Sequence, residues 1–367
     1  MDNQFILDQR YMASAIRFAR RNLGKTCDNP AVGALLVKNK EIIASAVTAI
    51  SGRPHAETQL LIEAGTKAAG ATLYVTLEPC SHYGQTPPCV NAIIKAQIAR
   101  VVIGLQDPDT RVCGRSVKLL QNAGISVDIN ILAEEINKQI ADYLTLKIKK
   151  RPYVILKLAS YKDAVIGCND ERLLITGKIA WRQSQMLRSR QQAILVSTNT
   201  LLLDNPSLTC RLEGLEQFSP IRLVIDRNLR LSLSSNILQN LRQIPTWIFC
   251  DITAPKDKLV ALENMGCRII RGKFVNGQLD LDYMLDFLAN EKISSLLVEG
   301  GKKLANSFLS ANLVDKFIHI ESQRETYINS INCIRINDIL NNLPKSFTLD
   351  NSAYYGDDNW YEWLRKV

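Results

Sequence analysis

Three side chains that one metal ion would need at a single point, His55, Cys80 and Cys89, stand far apart along this chain, and bringing them together constrains the fold more than any other feature. They occur in His55-Ala56-Glu57, Glu78-Pro79-Cys80 and Pro87-Pro88-Cys89. A neutral imidazole and two thiolates fill three corners of a tetrahedral zinc site; leaving the fourth to water is the catalytic rather than the structural arrangement. Glu57 stands too close in sequence to share a helix face with His55. It is better placed to take a proton from water at the metal than to ligate the metal. Pro87 and Pro88 put Cys89 in the first turn of a helix, where free backbone N–H groups favour the thiolate. Cys80 follows a strand through Val75 and the turn at Pro79, and His55 opens the helix that carries Glu57. The competing reading is a closed zinc clip with His82 as fourth ligand. Glu57 has no role in a clip, and the long Cys80 to Cys89 loop suits one poorly.

The elements around these residues alternate. Helical patterns cover 11–21, 56–64 (ended at Gly65), 90–96, 117–122 and 134–146. Strand patterns cover 32–37 and 42–46, joined as a hairpin about Lys38-Asn39-Lys40, then 71–77, 101–104 and 126–129. This alternation predicts an α/β layer architecture. The basic stretch Lys147-Ile148-Lys149-Lys150-Arg151-Pro152 marks a boundary, giving domains 1–148 and 149–367. Beyond it, buried strands are expected at 153–159, 193–196, 221–225, 246–250, 268–271 and 295–298. Helical segments lie between several of them, as in a doubly wound sheet.

A chain of 367 residues, 46% of them hydrophobic, can build two such cores. It has no apolar run of the ~18 residues needed to cross a bilayer, and no secretory signal pattern. The first helix is amphipathic and Arg-bearing like a transit peptide, but Asp2 and Asp8 argue against that, and the setting reads as cytoplasmic. Nine cysteines scattered through such a chain are not a disulfide framework. Cys27, Cys113, Cys168, Cys210, Cys250, Cys267 and Cys333 are expected to act as small buried hydrophobes. The net charge of +9 favours anionic partners such as phosphorylated metabolites or a dinucleotide. No basic run interleaved with aromatics adds support for nucleic acid.

The zinc triad with its neighbouring glutamate resembles that of zinc-dependent nucleobase deaminases. The segment Thr76-Leu77-Glu78-Pro79-Cys80-Ser81-His82-Tyr83-Gly84-Gln85-Thr86-Pro87-Pro88-Cys89 is more specific. It closely resembles the deaminase domain of the bifunctional riboflavin-biosynthesis deaminase/reductase family. Asn29-Pro30-Ala31-Val32-Gly33 upstream matches it, as do Asp107-Pro108, Gly114 and Ala123-Gly124-Ile125 downstream. The resemblance runs over essentially the whole chain.

That resemblance implies a cytidine-deaminase-like αβα domain followed by a dihydrofolate-reductase-like α/β domain, as a homodimer. The first would hydrolytically deaminate a diamino-pyrimidinone carrying a phosphoribosylamino group. Zn2+ on His55, Cys80 and Cys89 would activate water, Glu57 would carry the proton to the departing amine, and Asn29 and His82 would hold substrate. The second would use NADPH to reduce the ribosyl chain to a ribityl chain. Leu156-Lys157-Leu158-Ala159 resembles its opening strand, with Lys157 catalytic and Ala159 at the cofactor. Thr200 and Asp204 match cofactor positions, as do Leu174 and Arg227; Arg188, Leu208, Arg211 and Glu299 match substrate positions. In Val298-Glu299-Gly300-Gly301, a strand, a glycine turn and a helix near Lys302 would let Gly301 and the following backbone approach a phosphate, with Lys302 and Lys303 adding charge. Taken singly, a Gly-Gly turn is more often only a turn, Lys157 an edge lysine and Arg211 a surface charge.

The match frays at named positions. Thr48 stands where a histidine is usual, and Gln85 where a basic residue precedes Thr86; both losses are expected to weaken substrate binding without disabling the metal chemistry. In the second half, Tyr161-Lys162-Asp163-Ala164 replaces a Ser-Leu-Asp-Gly stretch, Leu174 a tryptophan, and Arg227 a small hydroxyl residue. Glu321-Ser322-Gln323-Arg324-Glu325 replaces a turn with proline and glycine, and a Cβ there can block close backbone approach. These departures keep a second reading open, an active deaminase with a scaffolding second domain. A nucleic-acid deaminase and a non-catalytic metal-binding protein are the remaining alternatives.

Overall fold

Apolar runs bounded by turn residues, and amphipathic segments between them, build the first half of the chain. Its elements are α1 (Asn3–Ala19), β1 (Gly33–Lys38), β2 (Glu41–Val47), α2 (Ala56–Ala64), β3 (Thr72–Leu77), α3 (Cys89–Lys95), β4 (Arg100–Leu105), α4 (Arg115–Asn122), β5 (Ser126–Asp128), α5 (Ala133–Gln139) and α6 (Ala141–Lys149). The computed structural model describes residues 3–84, 86–168, 173–326 and 333–366. It divides into two units, Met1–Arg151 and Pro152–Val367.

In the first unit the sheet runs β2-β1-β3-β4-β5, with β1 antiparallel to both neighbours and β3, β4 and β5 parallel. Asn39 and Lys40 both take positive φ, the conformation that a tight two-residue hairpin turn needs. A Cβ at Gly33 would collide with the carbonyl of Ala15, so α1 lies on β1 at a distance only glycine permits. Asp8 on α1 is buried, yet it accepts from Tyr74 at 2.6 Å and from Arg100 at 2.7 and 2.9 Å, fastening the helix to β3 and β4. The single helix expected over 134–146 is two. The chain leaves helical geometry at Ile140 (φ −110°, ψ 30°), and Ile136, Ile140 and Tyr143 all reach the core.

The second unit comprises β6 (Tyr153–Ser160), β7 (Val165–Cys168), α7 (Lys178–Arg188), β8 (Ala193–Ser197), α8 (Thr198–Asp204), β9 (Ile221–Ile225), β10 (Thr246–Cys250), α9 (Lys256–Met265), β11 (Arg268–Arg271), β12 (Phe274–Val275), β13 (Gln278–Leu279), α10 (Leu281–Asn290), β14 (Ser295–Val298), α11 (Lys302–Ser310), β15 (Lys316–Ser322), β16 (Cys333–Arg335), α12 (Asn337–Ser346), β17 (Phe347–Tyr355) and β18 (Asp358–Arg365). The main sheet runs β11-β10-β9-β8-β14-β6-β15-β18-β17. It is parallel from β11 to β15 and antiparallel through the β18–β17 edge hairpin.

Because strand side chains alternate between faces, this sheet has a core on each side. Leu156, Leu195, Leu296 and Phe317 pack with Leu288 and Phe308 on one face. Ile155, Ile194, Leu297 and Ile318 pack with Leu201 and Leu262 on the other. The inner strands of the sheet are therefore covered on both faces, as their largely apolar sequences predict.

The expectation for the cysteines needs correction. Cys27 and Cys113 are exposed and Cys333 is half-buried, because the first two sit in surface loops and the third on a short ribbon; only Cys168, Cys210, Cys250 and Cys267 are buried as expected. At Ala164 the glycine of the family pattern is replaced, yet the backbone keeps a φ of 62°. An L side chain held there costs about 1 kcal/mol, a tolerable penalty. Among the described residues no helix is long and apolar enough to cross a membrane.

Candidate active sites

His55 is the N-cap of α2 and Cys89 the first residue of α3, so two helix starts meet where Cys80 leaves the turn after β3. His55 Nδ1 lies 3.7 Å from Cys80 Sγ and 3.4 Å from Cys89 Sγ. All three donor atoms lie within 4.8 Å of one another. Tetrahedral zinc with bonds of about 2.1 Å to nitrogen and about 2.3 Å to sulfur would separate the two ligand atoms by about 3.6 Å. The donor set fits the ion. His82 is not part of this cluster among the described residues, which disfavours the closed clip.

The electrostatics suit metal binding. Cys80 is drawn down to about 4, chiefly by its hydrogen bond with Cys89 and further by His55, and the same pairing pushes Cys89 up. The Cys89 backbone N–H also donates to Cys80 Sγ at 3.2 Å, as a helix N-terminus can to a thiolate. Glu57, in the first turn of α2, is 3% exposed, and burial pushes its carboxyl above the ordinary value. A carboxyl so placed can hold a proton and give it up again.

The turn carrying Cys80 is fixed from behind. Glu78 accepts from the backbone N–H groups of Gly114 at 3.0 Å and Ser116 at 3.2 Å, while the Ser116 hydroxyl donates to the Pro79 carbonyl. Sequence reasoning gave Glu78 no role; its only signal was its place in Glu-Pro-Cys. Asn29 lies in a turn closed by Thr26 Oγ1 donating to its carbonyl at 2.7 Å, against Gly52, whose φ of 88° admits no ordinary side chain. The Nδ1 atom of His82 is buried and has no hydrogen-bond partner among the described residues.

Thr48 is 2% exposed, and its hydroxyl accepts from Val32 N–H at 3.0 Å. It is a structural residue here. Gln85 lies outside the described residues. A cation reaches its neighbour all the same, from a residue the sequence reading passed over: Arg53 Nη1 donates to Thr86 Oγ1 at 2.6 Å.

In the second unit a cavity of about 670 Å³ opens at the carboxyl ends of β6 and β14, where ligands of parallel sheets bind. Lys157, Ala159, Leu174, Arg188, Thr200, Asp204, Leu208, Arg211, Glu299 and Gly301 all line it. An adjoining cavity of about 550 Å³ shares Thr200, Asp204 and Gly301 and adds Lys302 and Lys303. A third, of about 260 Å³, shares Lys303 and adds Arg227. Together they form a long cationic trough beside the N-terminus of α11, whose N-cap is Gly301. Such a trough fits an anionic dinucleotide.

Glu299 is the pivot of the larger cavity. Arg188 pairs with it through two nitrogens, at 2.8 and 3.2 Å, and Lys157 Nζ lies 3.8 Å away. Burial would raise the Glu299 carboxyl, but Arg188 and Lys157 outweigh it and hold it at about 2. Burial lowers Lys157. A carboxyl depressed on folding stabilises the fold above its unfolded value and stops doing so as pH falls through its folded value. The denaturant midpoint of the second unit should therefore drop as pH falls from about 4.5 to about 2. Glu299→Gln should flatten that slope in a urea titration.

The sequence reading missed further wall residues. Trp181 lies under the Arg211 guanidinium at 5.3 Å, and Gln185, one helical turn on, accepts from Arg211 N–H at 3.0 Å. Their i, i+4 spacing on α7 was the available signal. Arg324, in the altered turn after β15, donates to the carbonyls of Leu174 and Ile175, fastening that segment at the cavity. Leu174 itself is 73% exposed. Leu208 is buried with a φ of 54°.

Comparison with known proteins agrees with this division. Residues 6–105 match the cytidine and deoxycytidylate deaminase zinc-binding region, and residues 152–320 match the RibD C-terminal domain. The riboflavin biosynthesis protein RibD of Aquifex aeolicus is 37% identical over 313 residues, covering 85% of this chain and 86% of that protein. RibD of Escherichia coli is 38% identical over 323 residues, 85% of this chain and 86% of that protein. A Thermotoga maritima structure of a diaminohydroxyphosphoribosylaminopyrimidine deaminase/5-amino-6-(5-phosphoribosylamino)uracil reductase superposes with a TM-score of 0.85 at 30% identity, covering 99% of this chain and all of that one.

Proposed function

This chain belongs to the bifunctional riboflavin-biosynthesis deaminase/reductase family, and from that premise we propose how its own residues divide the two reactions. It is a zinc-dependent deaminase joined to an NADPH-dependent reductase. Its substrate is a pyrimidine small molecule. In the finer reading this is the phosphoribosylamino diaminopyrimidinone of the first step, whose deaminated product, 5-amino-6-(5-phosphoribosylamino)uracil, feeds the second. The supporting observation is the open triad of His55, Cys80 and Cys89 with buried Glu57 beside it.

Zinc held by those three donors supplies Lewis-acid activation of water near neutral pH. Glu57 takes the attacking water's proton and returns one to the amine nitrogen as the C–N bond breaks, releasing ammonia. His82 and Asn29 hold the pyrimidine. In the second unit, NADPH supplies a hydride. Ala159, Thr200, Asp204, Gly301, Lys302, Lys303 and Arg227 line its trough, with Leu174 at the rim. Arg188, Leu208, Arg211 and Glu299 hold the phosphorylated substrate, and Lys157 donates the proton that accompanies hydride addition to the ribosyl chain. The domain division at 1–148 and 149–367, a homodimer and a cytoplasmic setting complete the proposal.

Removing zinc with a chelator tests this reading. Ammonia release should fall to background, whereas NADPH oxidation with pre-deaminated substrate should persist. Loss of both activities on zinc removal would overturn the assignment of the metal to the first reaction alone.

A further inference from the structure

Outside the metal donors the chain brings a second pair of thiols together. β7 and β16 form a two-stranded antiparallel ribbon in which Cys168 and Cys333 are direct register partners, their sulfurs 2.7 Å apart. Directly opposed residues on antiparallel strands place their Cβ atoms about 4.5–5.5 Å apart, and a disulfide asks for about 3.5–4.5 Å. A small adjustment suffices. The base of the ribbon is anchored: Ile336 N–H donates to the Ala164 carbonyl at 3.1 Å, and Asp338, at the start of α12, pairs with Lys302 at 2.7 Å. Cys168 is buried in the wall of the cavity it shares with Thr200, Asp204 and Gly301, while Cys333 is half-buried and open to a small reagent.

We propose that Cys168 and Cys333 form a reversible dithiol/disulfide couple that ties together the ribbon walling the reductase cleft. The oxidant is a low-molecular-weight disulfide. The Cys333 thiolate attacks one of its sulfurs and expels the other as a thiolate. The Cys168 thiolate then attacks the Cys333 sulfur of the mixed disulfide and expels the second. One S–S bond forms in the protein, one is cleaved in the oxidant, and two electrons and two protons pass to it. The cross-link closes a loop over most of the second unit, which restrains the unfolded chain. The proposal does not depend on which reaction that unit performs.

The test uses the full, zinc-loaded chain treated with oxidised glutathione, then alkylated, digested and mapped by mass spectrometry. The expected product is a single peptide pair joined through Cys168 and Cys333. It should be reversed by dithiothreitol and absent from Cys168→Ser and Cys333→Ser. The oxidised protein should melt about 5 °C or more above the reduced one. Full alkylation of both residues, a lasting glutathione adduct on either, linkage to Cys27 or Cys113, or an unchanged melting temperature would overturn the proposal. Should a serine variant fail to fold, the peptide map of the parent protein decides alone.

Discussion

The Glu57→Gln protein releases ammonia about two to four orders of magnitude more slowly than the parent, while retaining its zinc. The amide keeps the shape of the carboxyl but cannot accept the water's proton. His55, Cys80 and Cys89 keep their positions, so metal content is unchanged. Burial is what makes the effect large: a 3% exposed carboxyl is not readily replaced by bulk solvent as the proton carrier. Ammonia assay and metal analysis on the same sample give the answer. Activity within a few fold of the parent would remove Glu57 from the chemistry; loss of zinc would make it a structural residue.

Lys157→Ala gives the complementary result: deamination at the parent rate, and NADPH oxidation down by on the order of a hundredfold or more. Folding survives, because Glu299 keeps its paired hydrogen bonds to Arg188 at 2.8 and 3.2 Å when the lysine is removed. The cavity loses one positive charge from beside Glu299, which weakens its attraction for an anionic ligand. Both reactions are measured separately, the second with pre-deaminated substrate. Loss of both would show that the division of labour between the units is wrong. A normal reductase would leave Lys157 only as a charge partner of Glu299 in the cavity wall.

What the sequence made legible follows from the physics of each element. The zinc triad was readable because the chemistry admits few residue types, and proline before Cys89 marks a helix start. The parallel strands were readable because strands buried on both faces are nearly continuous apolar runs, as at Ala193-Ile194-Leu195-Val196 and Leu296-Leu297-Val298. β17 was not, since most of it is exposed and its middle, Asp350-Asn351-Ser352, is polar. Nor was the bend at Ile140, which breaks the helix without proline or glycine. The bond from Val32 N–H to Thr48 was not legible, because a sequence does not say which way a hydroxyl points. The contacts of Arg53 and Arg324 were not legible either, because each acts on a segment remote in sequence. Cys168 and Cys333 lie 165 positions apart, and strand register alone brings them face to face.

Leu208 carries a lesson for anyone redesigning this wall. A glycine would relax its left-handed backbone, recovering about 1–2 kcal/mol. It would also surrender the burial of a leucine side chain, a loss of about 1.5–3 kcal/mol. The comparison favours leaving the kink in place. Consensus-style smoothing of that loop would trade a taut, well-plugged wall for a slack one.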